Sequence, residues 1–288
     1  MDKSDSKLTP FWKNTPLVEE KDIFSELAGR KGSTLFLGQY SLTEAQAVLG
    51  KKSFFRESRK RNLWPLEYDL DSSQYPLQRL RIYFQEKRPE RVIVDLKIRK
   101  GRYWPKDKTV LGYSFSEYKC LILEWLTLQN PLLSFSPQRP RLPGQLYPGL
   151  GLGKKVVDIF AYLARLSRLD AILAFPAYFH NAVLFSRFFR FVNPAKEAEI
   201  LAIRKAFSDI PFKQLAWVVH LNCLKMENGE VYEWKSEEQV IALHRSLRDY
   251  FDSKPYREAL KQALRVHSFS VDWANFRRRM KIAEESNP

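Results

Sequence analysis

The sequence predicts a mixed α/β fold with a mostly antiparallel sheet flanked by helices, and three observations lead to it. Residues 80–84 and 91–99 alternate apolar with polar side chains, which is typical of strands that bury one face. A strongly amphipathic pattern predicts a helix over 154–168, and an apolar strand over 169–175 follows it. Strands and helices do not alternate regularly, which disfavours a doubly wound parallel sheet.

The other elements are predicted from local signals. Ser41 and Glu44 form a capping-box pattern that begins a helix reaching about Lys60. Apolar composition predicts a strand at 34–40, and two prolines predict a loop at 63–76. The remaining predictions are helices at 117–129, 180–191 and 194–208, a proline-rich loop at 134–148, a strand at 214–224 followed by an Asn228-Gly229 hairpin turn, and a helical pattern over 237–288.

Three parts follow from these elements. Residues 1–30 are predicted to be an N-terminal extension, residues 31–235 a ligand-binding domain, and residues 236–288 a C-terminal helical extension. The chain has 44% hydrophobic and 14% aromatic residues, which excludes disorder as its main state. Cys120 and Cys223 both lie in apolar runs, so they indicate buried free thiols, and no set of residues has metal-ligand spacing.

The net charge of +15 points to an anionic partner. Nucleic acid, an acidic membrane surface and a phosphate-bearing ligand all remain open, as do ordinary solvated helix faces, because the basic residues are dispersed. No motif of a known nucleic-acid-binding module accompanies the charge. The N-terminus has no apolar core, and no apolar run approaches the ~20 residues that span a bilayer, so we expect a soluble, cytoplasmic protein without a membrane span.

The segment 145–155 is the most informative for chemistry, because glycines at alternate positions open the amphipathic helix and two lysines follow. Glycine lets the backbone approach a ligand closely, and the first turn of a helix offers unpaired N–H groups that suit a phosphate. A tight turn with close helix packing is the alternative. The spacing fits neither the dinucleotide-binding glycine motif nor a P-loop.

Residues 148–192 resemble the acyl-CoA-binding half of the GNAT acetyltransferase superfamily. The resemblance rests on Gly151 and Gly153 before an amphipathic helix, then a strand, then a second helix that ends at Phe191. It implies that residues 31–235 are a GNAT-like acyl-CoA-binding domain, with coenzyme A or acyl-CoA as cosubstrate. The family's turn binds the pyrophosphate through backbone amides, and the strands before and after it form a splayed cleft for pantetheine. The residues implied to bind the cofactor are Gly149, Leu150, Gly151, Leu152, Gly153 and Lys154.

The sequence departs from the family pattern at three positions. Pro148 stands where the family has a Gln or Arg side chain, Ser186 where it often has a tyrosine acid, and Phe179 where an asparagine is usual. A proline-rich loop also occupies the place of the family's strand before the turn. Tyr178 and His180 follow the predicted strand and are the candidate acid and base, with a plain helix-start pair as the alternative.

The sequence therefore predicts an acyl-CoA-dependent N-acyltransferase that acts on an unknown amine. An inactive GNAT-like protein that binds acyl-CoA or another phosphate ligand is the alternative. A nucleic-acid-associated protein is a lesser alternative that the charge alone supports.

Overall fold

The computed structural model describes residues 34–105 and 109–285. The chain forms two compact units, one of residues up to 100 with 125–127 and one of residues 101–124 with 128 onward. The predicted extension at 1–30 lies outside the described residues, and the division at 31–235 and 236–288 stays a prediction. Both units combine helices with strands that pair mostly antiparallel, as predicted. None of the helices in the described part is both long and apolar enough to cross a bilayer.

The described part of the first unit begins with a tight turn, so the strand predicted at 34–40 is wrong. Leu37 and Gly38 both have positive φ, and the buried Gln78 amide bonds the backbone of Leu35 and Leu37. The Gln78 side chain thus satisfies backbone groups that would pair with a neighbouring strand if this segment were a strand. The capping box at Ser41 is confirmed: helix α1 spans Leu42–Lys51. The continuous helix to Lys60 is wrong, because the left-handed backbone at Ser53 separates α1 from α2, Phe54–Arg59.

The strands of the first unit form an antiparallel set, β1 (Leu66–Asp71), β2 (Gln78–Phe84) and β3 (Val92–Tyr103). The two alternating segments are confirmed as the β2–β3 pair, with a short 3₁₀ turn at Pro89–Arg91 between them. The predicted loop at 63–76 is wrong at β1. Asp69 and Asp71 of β1 stand opposite Arg81 and Arg79 of β2, and Arg81 forms an ion pair with Asp69.

The second unit contains the strand set that positions the candidate site. Strand β6 (Tyr118–Leu128) replaces the helix predicted at 117–129, and it pairs parallel with β7 (Ala171–Ala174). Residues 120–123 are buried on both faces, which removes the periodicity that would identify a strand. Strand β10 (Gln239–Ala242) pairs antiparallel with β7 and with β8 (Arg190–Phe191), so the purely helical pattern predicted from 237 is wrong there.

The helices of this unit cover its strands. Helix α3 (Gly153–Leu166) and helix α5 (Pro194–Ala206) are confirmed, whereas the helix predicted at 180–191 is only α4, Phe179–Phe185. The strand predicted at 214–224 is wrong, because most of it is α6, Phe212–His220. The other elements are β4 Thr109–Val110, β5 Tyr113–Ser114, β9 Leu224–Met226, α7 Arg245–Phe251, α8 Lys254–Val266, β11 Phe269–Val271 and α9 Trp273–Glu285.

Two apolar clusters lie in this unit. One joins the strand residues Cys120, Leu173 and Val240 to tyrosines of α7 and α8, and the other joins α4, α5 and α6. The buried Tyr250 and Tyr256 hydroxyls donate to the backbone oxygens at the end of β8, each over 2.7 Å. Burial of these rings with satisfied hydroxyls fixes α7 and α8 beside the strands.

Candidate functional site

The glycine turn is hydrogen-bonded to the end of strand β6. The Leu150 amide donates to the Leu128 oxygen over 3.1 Å, and the Asn130 amide donates to the Pro148 oxygen over 2.8 Å. The proline-rich loop predicted at 134–148 is present, and no strand lies directly before the turn. Strand β6 ends at Leu128, and the loop leaves this strand and returns to its end.

Buried side chains and exposed glycines alternate along the turn. Leu150 and Leu152 are buried, whereas Gly149, Gly151 and Gly153 are exposed. Gly151 has a φ of 73°, a left-handed conformation that glycine adopts without strain. Of the residues predicted to bind a cofactor, the two leucines hold the turn against the protein, and the glycines present their backbone to solvent.

The turn leads directly into helix α3, whose first amides are open. No side chain caps the helix at Leu152, and its first backbone bond runs from the Val156 amide to the Leu152 oxygen. The amides of Gly153, Lys154 and Lys155 precede that bond, so they carry the partial positive charge of a helix start. A Cβ added to Gly153 would meet nothing within 4 Å. The exposed Lys154 adds a full charge there.

Tyr178 and His180 line a cavity of about 450 Å³ that begins where β7 ends. The Tyr178 ring stacks on His180 with centroids 5.2 Å apart and contacts His220 at 5.7 Å. His220 is exposed and is the last residue of helix α6. Glu233 and Trp234 line the same cavity, and neither was predicted from the sequence.

The proline-rich loop packs closely against the Tyr178 ring. Gly144 has a φ of 74°, and a Cβ there would lie 2.6 Å from the Tyr178 hydroxyl oxygen. The loop is fastened to helix α6, because the Trp217 ring N–H donates to the Arg141 oxygen over 2.9 Å and Lys213 Nζ donates to the Pro140 oxygen over 2.7 Å. The loop and the helix therefore fix the position of the phenol.

Burial makes both histidines of the cavity weak bases. His180 is only 4% exposed, and burial, followed by the neighbouring His220, lowers its pKa to about 4. The ring of the more exposed His220 is also partly desolvated, which lowers the pKa of that residue too. Both imidazoles are therefore neutral at pH 7, the form that can accept a proton.

The low pKa of His180 predicts acid sensitivity. The ordinary pKa of a histidine is 6.5, so in the unfolded chain His180 becomes protonated below that pH. In the folded protein His180 stays neutral down to about pH 4. Stability should fall by about 2–3 kcal/mol as the pH drops from 6.5 to 4. In His180→Gln that loss should vanish, measured by urea unfolding at several pH values. Parallel curves for the variant and the wild type would contradict this assignment.

Ser186, which the resemblance to the GNAT superfamily aligned with a tyrosine acid, does not offer a free hydroxyl. Ser186 Oγ donates to the Val183 oxygen over 2.7 Å, a local bond within the end of helix α4. Its position therefore fits a structural role, and Tyr178 remains the phenol at the cavity.

No protein-family model matches the chain, and no curated protein matches it either. Among the residues that the structure describes, no group of three or more His, Cys, Asp or Glu side chains could hold a metal ion.

Proposed function

We propose that the protein is an acyl-CoA-dependent N-acyltransferase of GNAT-like fold. One observation carries the proposal: β6 and β7 run parallel, and the segment joining them contains a glycine turn that is bonded to the end of β6 and opens helix α3. This arrangement is what the resemblance of residues 148–192 implies. It supports a pyrophosphate site on the exposed amides of Gly151, Gly153 and Lys154.

In this proposal the rest of the cosubstrate follows the chain beyond β7. The parallel register ends at Leu123 and Ala174, and after Ala174 the chain leaves the sheet toward Tyr178, which lines the cavity. A pantetheine arm along this segment would bring its thioester toward Tyr178.

The chemistry assigns two roles to the cavity residues. The acceptor ammonium must lose a proton before its nitrogen attacks the thioester carbonyl. His180, which is neutral at pH 7, relays this proton to solvent and does not hold it, because its pKa of about 4 makes it a weak base. The new C–N bond forms as the C–S bond breaks, and Tyr178 donates a proton to the departing thiolate. The thiol, with a pKa of roughly 8.5, is itself a good leaving group, so the acid is needed less than the base.

An assay of thiol release tests the activity. The protein should release free coenzyme A from acetyl-CoA in the presence of some member of a panel of small amines, at a rate above that of hydrolysis without amine. The released thiol is measured with a chromogenic disulfide. No amine-dependent release across the panel, with longer acyl chains also tried, would contradict the catalytic proposal.

A second candidate is a GNAT-like protein that binds acyl-CoA without turning it over. The engaged Ser186 hydroxyl and the absence of a hydrogen-bonding side chain at Pro148 favour it. The two candidates separate cleanly, because both require calorimetric binding of coenzyme A and only the first requires thiol release.

A further inference from the structure

The cavity beside Tyr178 has a charge that differs from the rest of the chain. The chain carries 48 basic against 33 acidic residues, yet none of the described residues that line this cavity is a lysine or an arginine. One carboxylate, that of Glu233, lies in its lining. The ligand site proposed at the glycine turn has the opposite character, since Lys154 and Lys155 follow the glycines.

A buried lysine beside Trp234 does not change the charge of the lining. Lys196 Nζ lies 4.3 Å from the centre of the Trp234 ring, but the lysine is only 4% exposed. Its Nζ is paired with Glu199 over 2.6 Å. Its charge is therefore neutralised, and Glu233 has no cation beside it in the lining.

The remaining lining is aromatic and neutral. Tyr178 and Trp234 offer ring surface, and His180 and His220 are neutral near pH 7 because burial lowers their pKa values. Aromatic faces attract organic cations as well as flat apolar groups. A volume of about 450 Å³ suits a small molecule.

We propose that this cavity binds a small organic cation with a single positive charge and a flat or apolar body. Its ammonium pairs with Glu233, and its body lies against the rings of Tyr178 and Trp234. That this cation is the acyl acceptor rests on the proposed function; its binding does not.

The single carboxylate also selects against other ligands. A second ammonium on the same molecule would leave water without a second carboxylate to pair with, since the other polar side chains of the lining are Tyr178, Trp234, two neutral imidazoles and the Asn222 amide. An anionic ligand would meet Glu233. Polyamines, basic peptides and amino acids with a free carboxylate should all bind less well than a monoamine.

Calorimetry without coenzyme A tests the proposal with three probes of known charge. We expect 2-phenylethylamine to bind more tightly than its neutral analogue 2-phenylethanol, and spermidine to bind least. Glu233→Gln should weaken 2-phenylethylamine about 3- to 10-fold, as expected for one partly exposed ion pair, and leave 2-phenylethanol unchanged. Glu227→Gln, an exposed carboxylate outside the lining, is the matched control and should change neither affinity.

Two outcomes would overturn the inference. Equal affinities for the amine and the alcohol would show that charge plays no part, and an equal effect of Glu233→Gln and Glu227→Gln would show that Glu233 is not the partner. The test is independent of acyl transfer. Amine binding without thiol release would refute the catalytic proposal alone, and thiol release with amines that Glu233→Gln binds equally well would refute this inference alone.

Discussion

Replacing Gly153 by valine should weaken coenzyme A binding ~10- to 100-fold, the loss expected when one or two charge-assisted hydrogen bonds to a phosphate are removed. The side chain would stand where a phosphate approaches the open amides of helix α3. Because a Cβ at Gly153 meets no protein atom, the melting temperature should stay within the small change typical of exposed positions. Calorimetry gives the affinity, and thermal unfolding gives the stability.

The control variant places a valine side chain in the first turn of a different helix. Ala195 is exposed in the first turn of α5, and Ala195→Val should change neither affinity nor stability appreciably. Wild-type affinity in Gly153→Val would move the phosphate site away from the turn. A fall in melting temperature that accompanies the lost affinity would assign the effect to folding instead.

Tyr178→Phe should lower turnover about 100-fold, the low end for a positioned acid, with the affinity for coenzyme A unchanged. The phenylalanine keeps the ring contacts with His180 and His220 and removes only the hydroxyl beside Gly144. Steady-state rates of thiol release, with the acceptor amine saturating, give kcat directly.

Tyr162→Phe is the matched control, since this tyrosine lies on helix α3 and does not line the cavity. It should retain the wild-type rate. Full activity of Tyr178→Phe would leave protonation of the thiolate to solvent and remove Tyr178 from the mechanism. A parallel loss of cofactor affinity would make Tyr178 a binding residue.

Elements with strong local signals could be predicted from the sequence. The capping box at Ser41 is satisfied in both directions, with the Glu44 amide bonded to Ser41 Oγ and the Ser41 amide bonded to the Glu44 carboxylate. Two other signals are also local: the alternation of apolar and polar residues in β2 and β3, and the apolar face of α3. Such patterns depend little on the rest of the chain.

Elements whose secondary structure depends on contacts with distant segments of the chain could not be predicted from the sequence. Strand β6 and helix α6 are both apolar runs, and burial from several sides leaves no period that separates strand from helix. Strand β10 has only four residues, and its pairing with β7 joins segments more than 60 residues apart. Its neighbours along the chain give no sign of that pairing.

The residues of the candidate site also fall into two groups, those with a local sequence signal and those that only long-range contacts bring together. The glycine turn was located from its spacing and from the helix that follows, because both signals are local. The cavity residues His220, Glu233 and Trp234 come from helix α6 and from the segment after β9, and only tertiary packing brings them to Tyr178. The exposed Glu233, in a chain with many charges, carries no signal of its own.

Calorimetric titration of the wild-type protein with coenzyme A tests the central claim most directly. A cosubstrate site of the proposed kind predicts saturable binding at one site per chain, with an affinity in the ~1 μM to 1 mM range of working enzyme substrates. The affinity should fall in Gly153→Val and persist in Ala195→Val. The absence of any heat of binding for coenzyme A and acetyl-CoA at about millimolar concentration would contradict the account.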